Sequence, residues 1–325
     1  ISRRILQANQ EPHPKLHTIF SAECSSYFDW QTVALIHSFN RSGQLGSITR
    51  LLTCTEEDLK QYKGHDLAPS HYVPSMSLHP LTGDWYPKIN KPAAVLHWIN
   101  HVKIDAEFVI ILDADILILE PIIPSDFNAG PGRPVSTPYH ALIGCDNELA
   151  KIHSRNPDGC SKVGGGVIVM HARDVRRFAL VWMHKTQQLR ADKSRWSANI
   201  TGDDGETGRF SSMYGYSFAA AELNFRHVIS NELMLNVGEV PELGTKYRAI
   251  HYSGSWSING GRYSFEKSKW TDSDMVQNCD AKFPDPLDAD QKADEAAFRR
   301  DSMSIRCIRI LNEALKQLNR RKKCP

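Results

Sequence analysis

One short stretch constrains this chain more than any other: residues 108–115 read Phe-Val-Ile-Ile-Leu-Asp-Ala-Asp. A run of apolar residues rich in branched side chains is typical of a strand buried on both faces, central in a parallel sheet. Alternation along the extended backbone then puts Asp113 and Asp115 on one side, where the strand leaves the core. Two adjacent carboxylates repel each other, and a divalent cation with oxygen ligands relieves that repulsion. The stretch alone leaves a second interpretation open, in which one Asp caps a turn and the other is solvated.

Composition restricts the class of protein further. The chain has 325 residues, 41% hydrophobic and 23% charged, enough for one large α/β domain or two small ones. A formal net charge of +2 gives no reason to expect nucleic acid or an anionic membrane surface as a partner. No apolar run approaches the roughly 18 residues of a membrane-spanning helix. The chain begins at Ile1 rather than Met, so we expect membrane attachment only through an anchor missing from this sequence.

Glycosylation sequons at Asn40 and Asn199, together with seven cysteines, favour an oxidising compartment. We therefore expect the protein in the lumen of the secretory pathway, in the endoplasmic reticulum or Golgi. No Cys-x-x-Cys pair is present, which argues against a zinc site. Cys24 and Cys54 each lie near the end of a predicted strand and are interpreted as core thiols.

The remaining cysteines predict disulfide bridges. Cys145 and Cys160 bracket one loop-rich stretch and are expected to pair. Cys279 is expected to pair with Cys307 or with Cys324, which would join the C-terminal tail to the body of the protein. The odd total leaves at least one thiol without a partner in this chain.

The beginning of the chain predicts a parallel β-α-β unit. Residues 17–21 and 48–54 are interpreted as strands, and 30–39 as an amphipathic helix between them. This order suggests a nucleotide-binding half-domain. Residues 71–85, rich in Pro, Ser and Gly, predict an exposed loop, and the polar residues 1–14 predict a stem or linker.

A second apolar strand, 163–170, begins with three consecutive glycines, Gly164, Gly165 and Gly166. Glycine costs a strand stability, so the triplet indicates either a ligand close to the backbone or a bulged strand entry.

Further elements follow from periodicity and turn residues. We expect helices at 93–101, at 175–190 and from 214 onward, and a short strand at 249–252. Apolar residues recur at helical spacing between Ile305 and Leu318 and predict an amphipathic C-terminal helix whose apolar face is used for packing.

A strand ending in Asp-x-Asp, a β-α-β beginning, a glycine-begun strand and a late histidine after a strand resemble the glycosyltransferases of GT-A type. More specific motifs occur in order at 17–21, 27–32, 48–52, 82–87, 90–92, 144–147, 162–165 and 213–218. In these motifs the chain is similar to the peptidyl serine α-galactosyltransferases of plants and green algae. It is more distantly similar to the hydroxyproline O-arabinosyltransferases. The loop 203–207 departs from the pattern of this family, so its acids are assigned no functional role.

The resemblance implies an α/β fold of GT-A type, a single Rossmann-like domain with a mixed central sheet and a C-terminal helical extension. The stem would cover 1–14, the catalytic domain 15–286, and the helical extension, packed on that domain, 287–325. The implied activity is the transfer of galactose from UDP-galactose to serine hydroxyls of Ser-hydroxyproline-rich, extensin-like cell-wall proteins, giving an α-linked product with retention. Transfer of arabinose or another sugar to hydroxyproline is one alternative, and a non-catalytic wall-peptide-binding protein is another.

The resemblance also implies a set of site residues. Asp113, Asp115 and His251 would hold Mn²⁺, since carboxylate and imidazole both suit that ion. The donor-binding set comprises those three residues with Ser21, Glu23, Phe28, Asp29, Lys91, Ala114, Gly164, Gly165, Gly166, Gly254 and Lys267. Within it, the residues from Ser21 to Asp29 would receive the uridine and the glycines would face the sugar. Lys267, Lys269 or Arg262 would neutralise the departing diphosphate.

Retention leaves two mechanisms open. A carboxylate could attack the sugar and form a covalent intermediate, for which Glu222 is the candidate. Otherwise the leaving phosphate itself could act as the base. The alternative interpretation of Glu222 is a solvent-facing helix acid. For the acceptor, an extended polyproline II peptide, we expect an aromatic groove drawn from Trp85, Tyr86, Tyr214, Tyr216 and Trp256.

Overall fold

The structure is a computed structural model that describes residues 14–192, 208–271 and 274–324. The expected stem, apart from Pro14, lies outside the described residues, as do the sequon at Asn199 and the divergent loop 203–207. Among the described helices, none combines the length and the apolar character needed to cross a membrane.

Strands and helices alternate along most of the chain. The strands are β1 Leu16–Glu23, β2 Ser47–Cys54, β3 Ser70–Pro74, β4 Phe108–Leu112, β5 Ile116–Ile118, β6 Val135–Pro138, β7 Val163–His171, β8 Val228–Ile229, β9 Met234–Asn236, β10 Ala249–His251, β11 Ser255–Ile258 and β12 Tyr263–Glu266. The α-helices are α1 Ser26–Ser42, α2 Glu56–Gln61, α3 Asn90–His101, α4 Glu148–His153, α5 Ala172–Ala191, α6 Ser211–Glu222 and α7 Glu295–Arg321.

The central sheet has the strand order β3-β2-β1-β4-β7-β6-β8. β1 pairs in parallel with β2 and β4, whereas β4 pairs antiparallel with β7. The strand that ends in the acid pair is therefore central, but its sheet is mixed rather than parallel throughout. The expected α/β fold with a mixed central sheet and a C-terminal helix is confirmed.

Helices cover both faces of this sheet. Every side chain of β4 is buried. Phe108, Ile110 and Leu112 enter the core beneath α1, while Val109 and Ile111 enter the core beneath α3 and α5. Because both faces are packed, the strand lacks the polar alternation of a solvent-exposed strand.

The C-terminal helix shares a third core with the rest of the molecule. Ile308 and Leu311 of α7 are buried with Trp30 of α1 and Ile250 of β10. In the structure α7 therefore packs against α1 and β10, and the division into a catalytic domain 15–286 and an extension 287–325 stays a prediction.

The segment 71–85 differs from the exposed loop expected of it. Its first residues belong to β3, which pairs in parallel with β2 along the edge of the sheet. Residues 77–86 then form a short hairpin, in which Leu78 and Trp85 are antiparallel bridge partners. The proline and glycine residues of this segment occur at its turns. Their number predicted a loop although the residues between them are paired.

Three disulfide bridges are present among the described residues. Cys145–Cys160 is confirmed, and Cys279 pairs with Cys324, one of its two expected partners. The interpretation of Cys24 and Cys54 as core thiols was wrong, because these residues form a third bridge. Parallel pairing of β1 with β2 places them side by side at the carboxyl ends of the two strands. Cys307, the remaining cysteine, is a buried free thiol in the core under α7.

Candidate functional site

The acid pair lies in the short connection between β4 and β5. The Asp113 backbone N–H donates to the Gly166 carbonyl at 3.0 Å, which continues the pairing of β4 with β7 by one residue. Ala114 turns its side chain into the core, so its neighbours Asp113 and Asp115 are directed away from it. Ala114 can therefore contact a donor only through its backbone.

His251 reaches the acid pair through the small sheet β5-β10-β9. Antiparallel pairing sets His251 opposite Ile116, next to Asp115, and one ligand atom from each of Asp113, Asp115 and His251 lies within 4.8 Å of the others. The ring Nδ1 is 3.0 Å from the Asn236 Oδ1. With that oxygen as acceptor, Nδ1 carries a proton and Nε2 faces Asp115 at 3.3 Å.

Two lysines complete a cluster of five side chains. The Lys91 ammonium donates to Asp113 Oδ1 at 2.6 Å and to the Gly165 carbonyl at 2.5 Å. The Lys267 ammonium donates to Asp115 Oδ2 at 2.6 Å. We call Lys91, Asp113, Asp115, His251 and Lys267 the metal-site cluster.

Three cations, Lys267, Lys269 and Arg262, were expected to neutralise the diphosphate. Of these, Lys267 is the one that contacts the acid pair. Lys269 pairs with Glu266 at the surface, and Arg262 is exposed. Gly254 has a positive φ of 67°, and its carbonyl accepts from the Lys267 backbone N–H at 3.1 Å. Gly254 therefore acts in the turn that positions Lys267.

Electrostatics within the cluster shift the pKa of three of its members, Asp115, His251 and Lys267. Burial disfavours the charged form of Asp115, but Lys267 and His251 hold the pKa of its carboxyl well below its usual range. Burial likewise opposes the charge of His251 and of Lys267, yet the adjacent Asp115 carboxylate raises the pKa of both.

The donor set of the cluster fits a divalent cation. Two carboxylates and an imidazole combine hard oxygen ligands with a nitrogen ligand, which suits Mn²⁺ and similar ions. Asn236 holds the imidazole in the tautomer that leaves Nε2 available for a metal. The two ammonium groups balance the acids in this arrangement, and each is carried on a flexible side chain.

The three glycines at the start of β7 have different surroundings. A Cβ at Gly164 would lie 2.8 Å from the Thr137 hydroxyl oxygen, and one at Gly166 would lie 2.8 Å from the Met234 sulfur. At Gly165 the nearest atom would be the Lys91 Nζ, at 3.8 Å. Protein packing therefore accounts for two of the glycines, and only Gly165 leaves space beside the cluster.

The residues expected around the uridine divide into two groups. Glu23 accepts from the Asn90 Nδ2 at 2.9 Å, and burial raises the pKa of its carboxyl. Ser21, two residues earlier on the same side of β1, has a buried Oγ without a hydrogen-bond partner among the described atoms. An unpaired buried hydroxyl next to the site is consistent with a ligand there.

Phe28 and Asp29 lie in the first turn of α1. Phe28 packs against the core beneath that helix. Asp29 accepts a short hydrogen bond from Tyr62, and burial raises the pKa of its carboxyl. Asp29 also lines a cleft of about 420 Å³ with Ser26, Asp58 and Tyr62. The structure therefore places Asp29 in a cleft and leaves Phe28 partly buried against the core.

Glu222 lies at the end of α6, and its carboxylate pairs with the Lys185 ammonium of α5 at 2.5 Å. It also accepts from the Arg155 backbone N–H at 3.2 Å. Neither partner belongs to the metal-site cluster, and both side chains of the ion pair are largely buried. Glu222 is thus no solvent-facing acid, and its catalytic role stays a prediction.

Most of the aromatic residues expected in an acceptor groove belong to the core. Tyr86, Tyr214, Tyr216 and Trp256 are buried, whereas Trp85 is 65% exposed. Aromatic side chains contribute most to stability when buried, and the sequence does not distinguish that use from ligand contact.

Two site residues were missed. Asn236 orients His251 from β9, and no local signal in the sequence identifies it. Asn90 hydrogen-bonds Glu23 and is itself buried. The motif at 90–92 could have indicated Asn90, because Lys91 beside it was already a candidate.

The chain is similar to known proteins over most of its length. Residues 16–229 match the N-terminal domain of the hydroxyproline O-arabinosyltransferase family. A peptidyl serine alpha-galactosyltransferase of Arabidopsis thaliana is 58% identical over 315 residues, covering 96% of this chain and 39% of the relative. A peptidyl serine alpha-galactosyltransferase of Chlamydomonas reinhardtii is 31% identical over 279 residues, covering 80% of this chain and 37% of the relative.

The chain thus spans about two fifths of the length of these two relatives. Among solved structures, a galactosyltransferase LgtC in complex with donor and acceptor sugar analogues has a TM-score of 0.41 at 12% identity. The match covers 73% of this chain and 87% of that one.

Proposed function

Because the chain belongs to the hydroxyproline O-arabinosyltransferase family, we propose that it is a metal-dependent glycosyltransferase of GT-A type that uses UDP-galactose. Its acceptor would be a serine hydroxyl in a Ser-hydroxyproline-rich peptide, and its product α-linked. The observation that carries this proposal is the 58% identity over 96% of the chain with a peptidyl serine alpha-galactosyltransferase. The metal-site cluster supplies the chemistry that such a transfer needs.

Asp113, Asp115 and His251 would hold the cation, for which Mn²⁺ is the proposed identity. When bound, a divalent cation offsets the negative charge that develops on the diphosphate as the sugar leaves. Lys91 and Lys267 already lie against the two acids and can turn to the phosphate oxygens while their stems stay in place. Both lysines would then stabilise the leaving group.

The donor would extend from the cluster in two directions. The open side of Gly165 gives the sugar access to the backbone beside Lys91. The unpaired Ser21 hydroxyl and the Asp29 cleft are proposed to receive the nucleoside. Glu23, fixed by Asn90, would line the boundary between these two parts.

The contacts of Glu222 favour the second of the two retaining mechanisms. A nucleophile must reach the anomeric carbon, and the Glu222 carboxylate is instead paired with Lys185. In the proposed reaction the serine oxygen bonds to the anomeric carbon on the face from which the diphosphate departs. The bond from that carbon to the phosphate oxygen breaks, and the serine proton moves to the departing phosphate.

The three disulfide bridges support a secretory-pathway lumen as the compartment, because such bonds persist in oxidising surroundings. A wall glycoprotein acceptor would be modified there during its export.

The decisive experiment is a panel of UDP-sugars offered with a Ser-hydroxyproline peptide, in Mn²⁺ and in EDTA. We expect transfer from UDP-galactose in Mn²⁺ only, with an α-anomeric proton in the NMR spectrum of the product. Asp115→Asn should lower the rate about a hundredfold. Asp105→Asn is the matched control, because Asp105 is 83% exposed and pairs only with the exposed Lys15.

Other results would assign a different function. Transfer of arabinose to hydroxyproline is the activity for which the family is described. If the panel showed that transfer instead, it would become the assigned function. Full activity in EDTA would remove the cation from the proposal. Peptide binding without turnover of any UDP-sugar would indicate a non-catalytic protein.

A further inference from the structure

The hairpin at residues 77–86 presents two chemically different faces. The Tyr86 N–H donates to the Ser77 carbonyl at 2.7 Å, and the His79 N–H donates to the Asp84 carbonyl at 2.8 Å. Between these pairs, Leu78 and its cross-strand partner Trp85 project together on the opposite face. We call residues 77–86 the apolar hairpin.

The inner face is buried and the outer face is not. Ser77 and Tyr86 are 5% and 6% exposed, whereas Leu78 and Trp85 are 60% and 65% exposed. Leu81 at the turn is 91% exposed. Single exposed apolar residues are ordinary, but three on one hairpin form a patch of the kind that binds a partner.

Several contacts hold the apolar hairpin in place. The Arg190 guanidinium binds both Asp84 carboxylate oxygens, at 2.7 and 2.8 Å, and lies 4.2 Å from the centre of the Tyr86 ring. The Tyr86 hydroxyl accepts from the Ser212 N–H at 3.0 Å. The outer face is therefore presented by an anchored element. Asp84 is the one Asp, Glu, Lys or Arg residue of the hairpin, and it is paired with Arg190. The outer face is therefore apolar and neutral.

The apolar hairpin is continuous with the metal-site cluster. Asn90 accepts from the Met76 N–H at 2.8 Å and donates to the Ser77 hydroxyl at 2.8 Å and to Glu23 at 2.9 Å. The ammonium of the next residue, Lys91, donates a hydrogen bond to the Asp113 carboxylate. One buried amide thus joins the base of the hairpin to the candidate donor site.

We propose that the outer face of the apolar hairpin is the docking surface for the acceptor peptide, an inference that rests on the proposed function. A chain of hydroxyproline residues is an extended, neutral polyproline II helix without internal hydrogen bonds. Such helices bind to exposed aromatic and apolar side chains, at low cost in conformational entropy. Trp85 and Leu78 supply that contact, and Leu81 extends it. The continuity through Asn90 keeps a docked serine near the sugar donor.

The test compares Trp85→Ala and Leu81→Ala with the unmodified chain, using a synthetic Ser-hydroxyproline repeat peptide. We expect Trp85→Ala to raise the KM for peptide about tenfold, with a smaller rise for Leu81→Ala. The KM for UDP-galactose and its hydrolysis without peptide should not change. Leu180→Ala is the matched control: Leu180 is 63% exposed on α5, roughly 15 Å along that helix from Arg190. Melting curves confirm that each variant is folded.

A second peptide, with alanine in place of hydroxyproline, should show no difference between the unmodified chain and Trp85→Ala. If the unmodified chain transfers no galactose, the proposed function fails, but calorimetric binding of the hydroxyproline peptide still tests the docking surface. Equal peptide KM or affinity in all four proteins would overturn the inference. A dimer that Trp85→Ala dissociates, with peptide affinity unchanged, would also overturn it and assign the face to a second copy.

Discussion

Glu222 shows how far a single residue can be interpreted from its sequence surroundings. An acid that follows an aromatic motif in a small-residue segment is chemically suited to a sugar transferase. The structure adds what the sequence lacks, the Lys185 ammonium at 2.5 Å on a neighbouring helix. Removing one partner of such a largely buried ion pair destabilises the fold, whether or not the carboxylate also acts in catalysis.

We predict that Glu222→Gln lowers the free energy of unfolding by about 2–3 kcal/mol, because it leaves the Lys185 charge buried without its counter-ion. Denaturant unfolding measures this loss, and kcat of the folded variant should stay within about threefold of the original. The double variant Glu222→Gln with Lys185→Met is the control, and it should regain part of the stability. A kcat lowered by orders of magnitude at unchanged stability would restore Glu222 as the nucleophile.

His227, which is outside the metal-site cluster, allows a prediction of how stability depends on pH. Its Nε2 is 2.9 Å from the Tyr216 hydroxyl, and its Nδ1 is buried without a partner among the described residues. Burial lowers the pKa of His227 to about 4, whereas the unfolded chain takes up the proton near pH 6.5. The group therefore contributes stability that is complete above the unfolded pKa and is lost as pH falls toward 4.

Between pH 7 and pH 4, we expect the free energy of unfolding to fall by up to about 3 kcal/mol more in the unmodified protein than in a His227→Gln variant. Gln can still accept from the Tyr216 hydroxyl but does not titrate, so the difference between the two proteins isolates the imidazole. Urea unfolding at several pH values gives the comparison. If the free energies of unfolding of the two proteins differed by the same amount at pH 7 and at pH 4, the lowered pKa of His227 would be contradicted.

At the scale of elements, apolar patterns predicted the larger buried elements, because burial on two faces dictates them. β4 and β7 form close to their expected positions, whereas α7 begins at Glu295, ahead of the apolar stripe from Ile305 that predicted it. The acid pair was predictable for the same reason, since it begins where the apolar run ends.

Features that depend on how elements meet were not predictable. Cys24 and Cys54 pair because two parallel strands share a register, which neither strand encodes alone. Only Gly165 of the triplet faces open space, because Thr137 and Met234 from other elements take up the room beside its neighbours. Asn236 reaches His251 across paired strands, so its role is likewise a property of the sheet.

At the scale of the whole molecule, the C-terminal helix links the site to the rest of the core. Leu311 of α7 is buried in one cluster with Trp30 of α1 and with Tyr252, which follows His251 directly. The segment that carries His251 and Lys267 therefore packs against α1 and α7. We infer that the helix and the site unfold together rather than as separate units.

Leu311→Ala should accordingly lower the free energy of unfolding by about 3 kcal/mol, the usual cost of a cavity at a fully buried leucine. Lys316→Ala, on the exposed side of the same helix, should change it by less than about 0.5 kcal/mol. Fluorescence and far-UV circular dichroism should report one coincident transition in both variants, because helix and site share a core. If Leu311→Ala instead produced an early transition with activity retained through it, α7 would be an independent unit, and its packing on the α/β core would not contribute to the site.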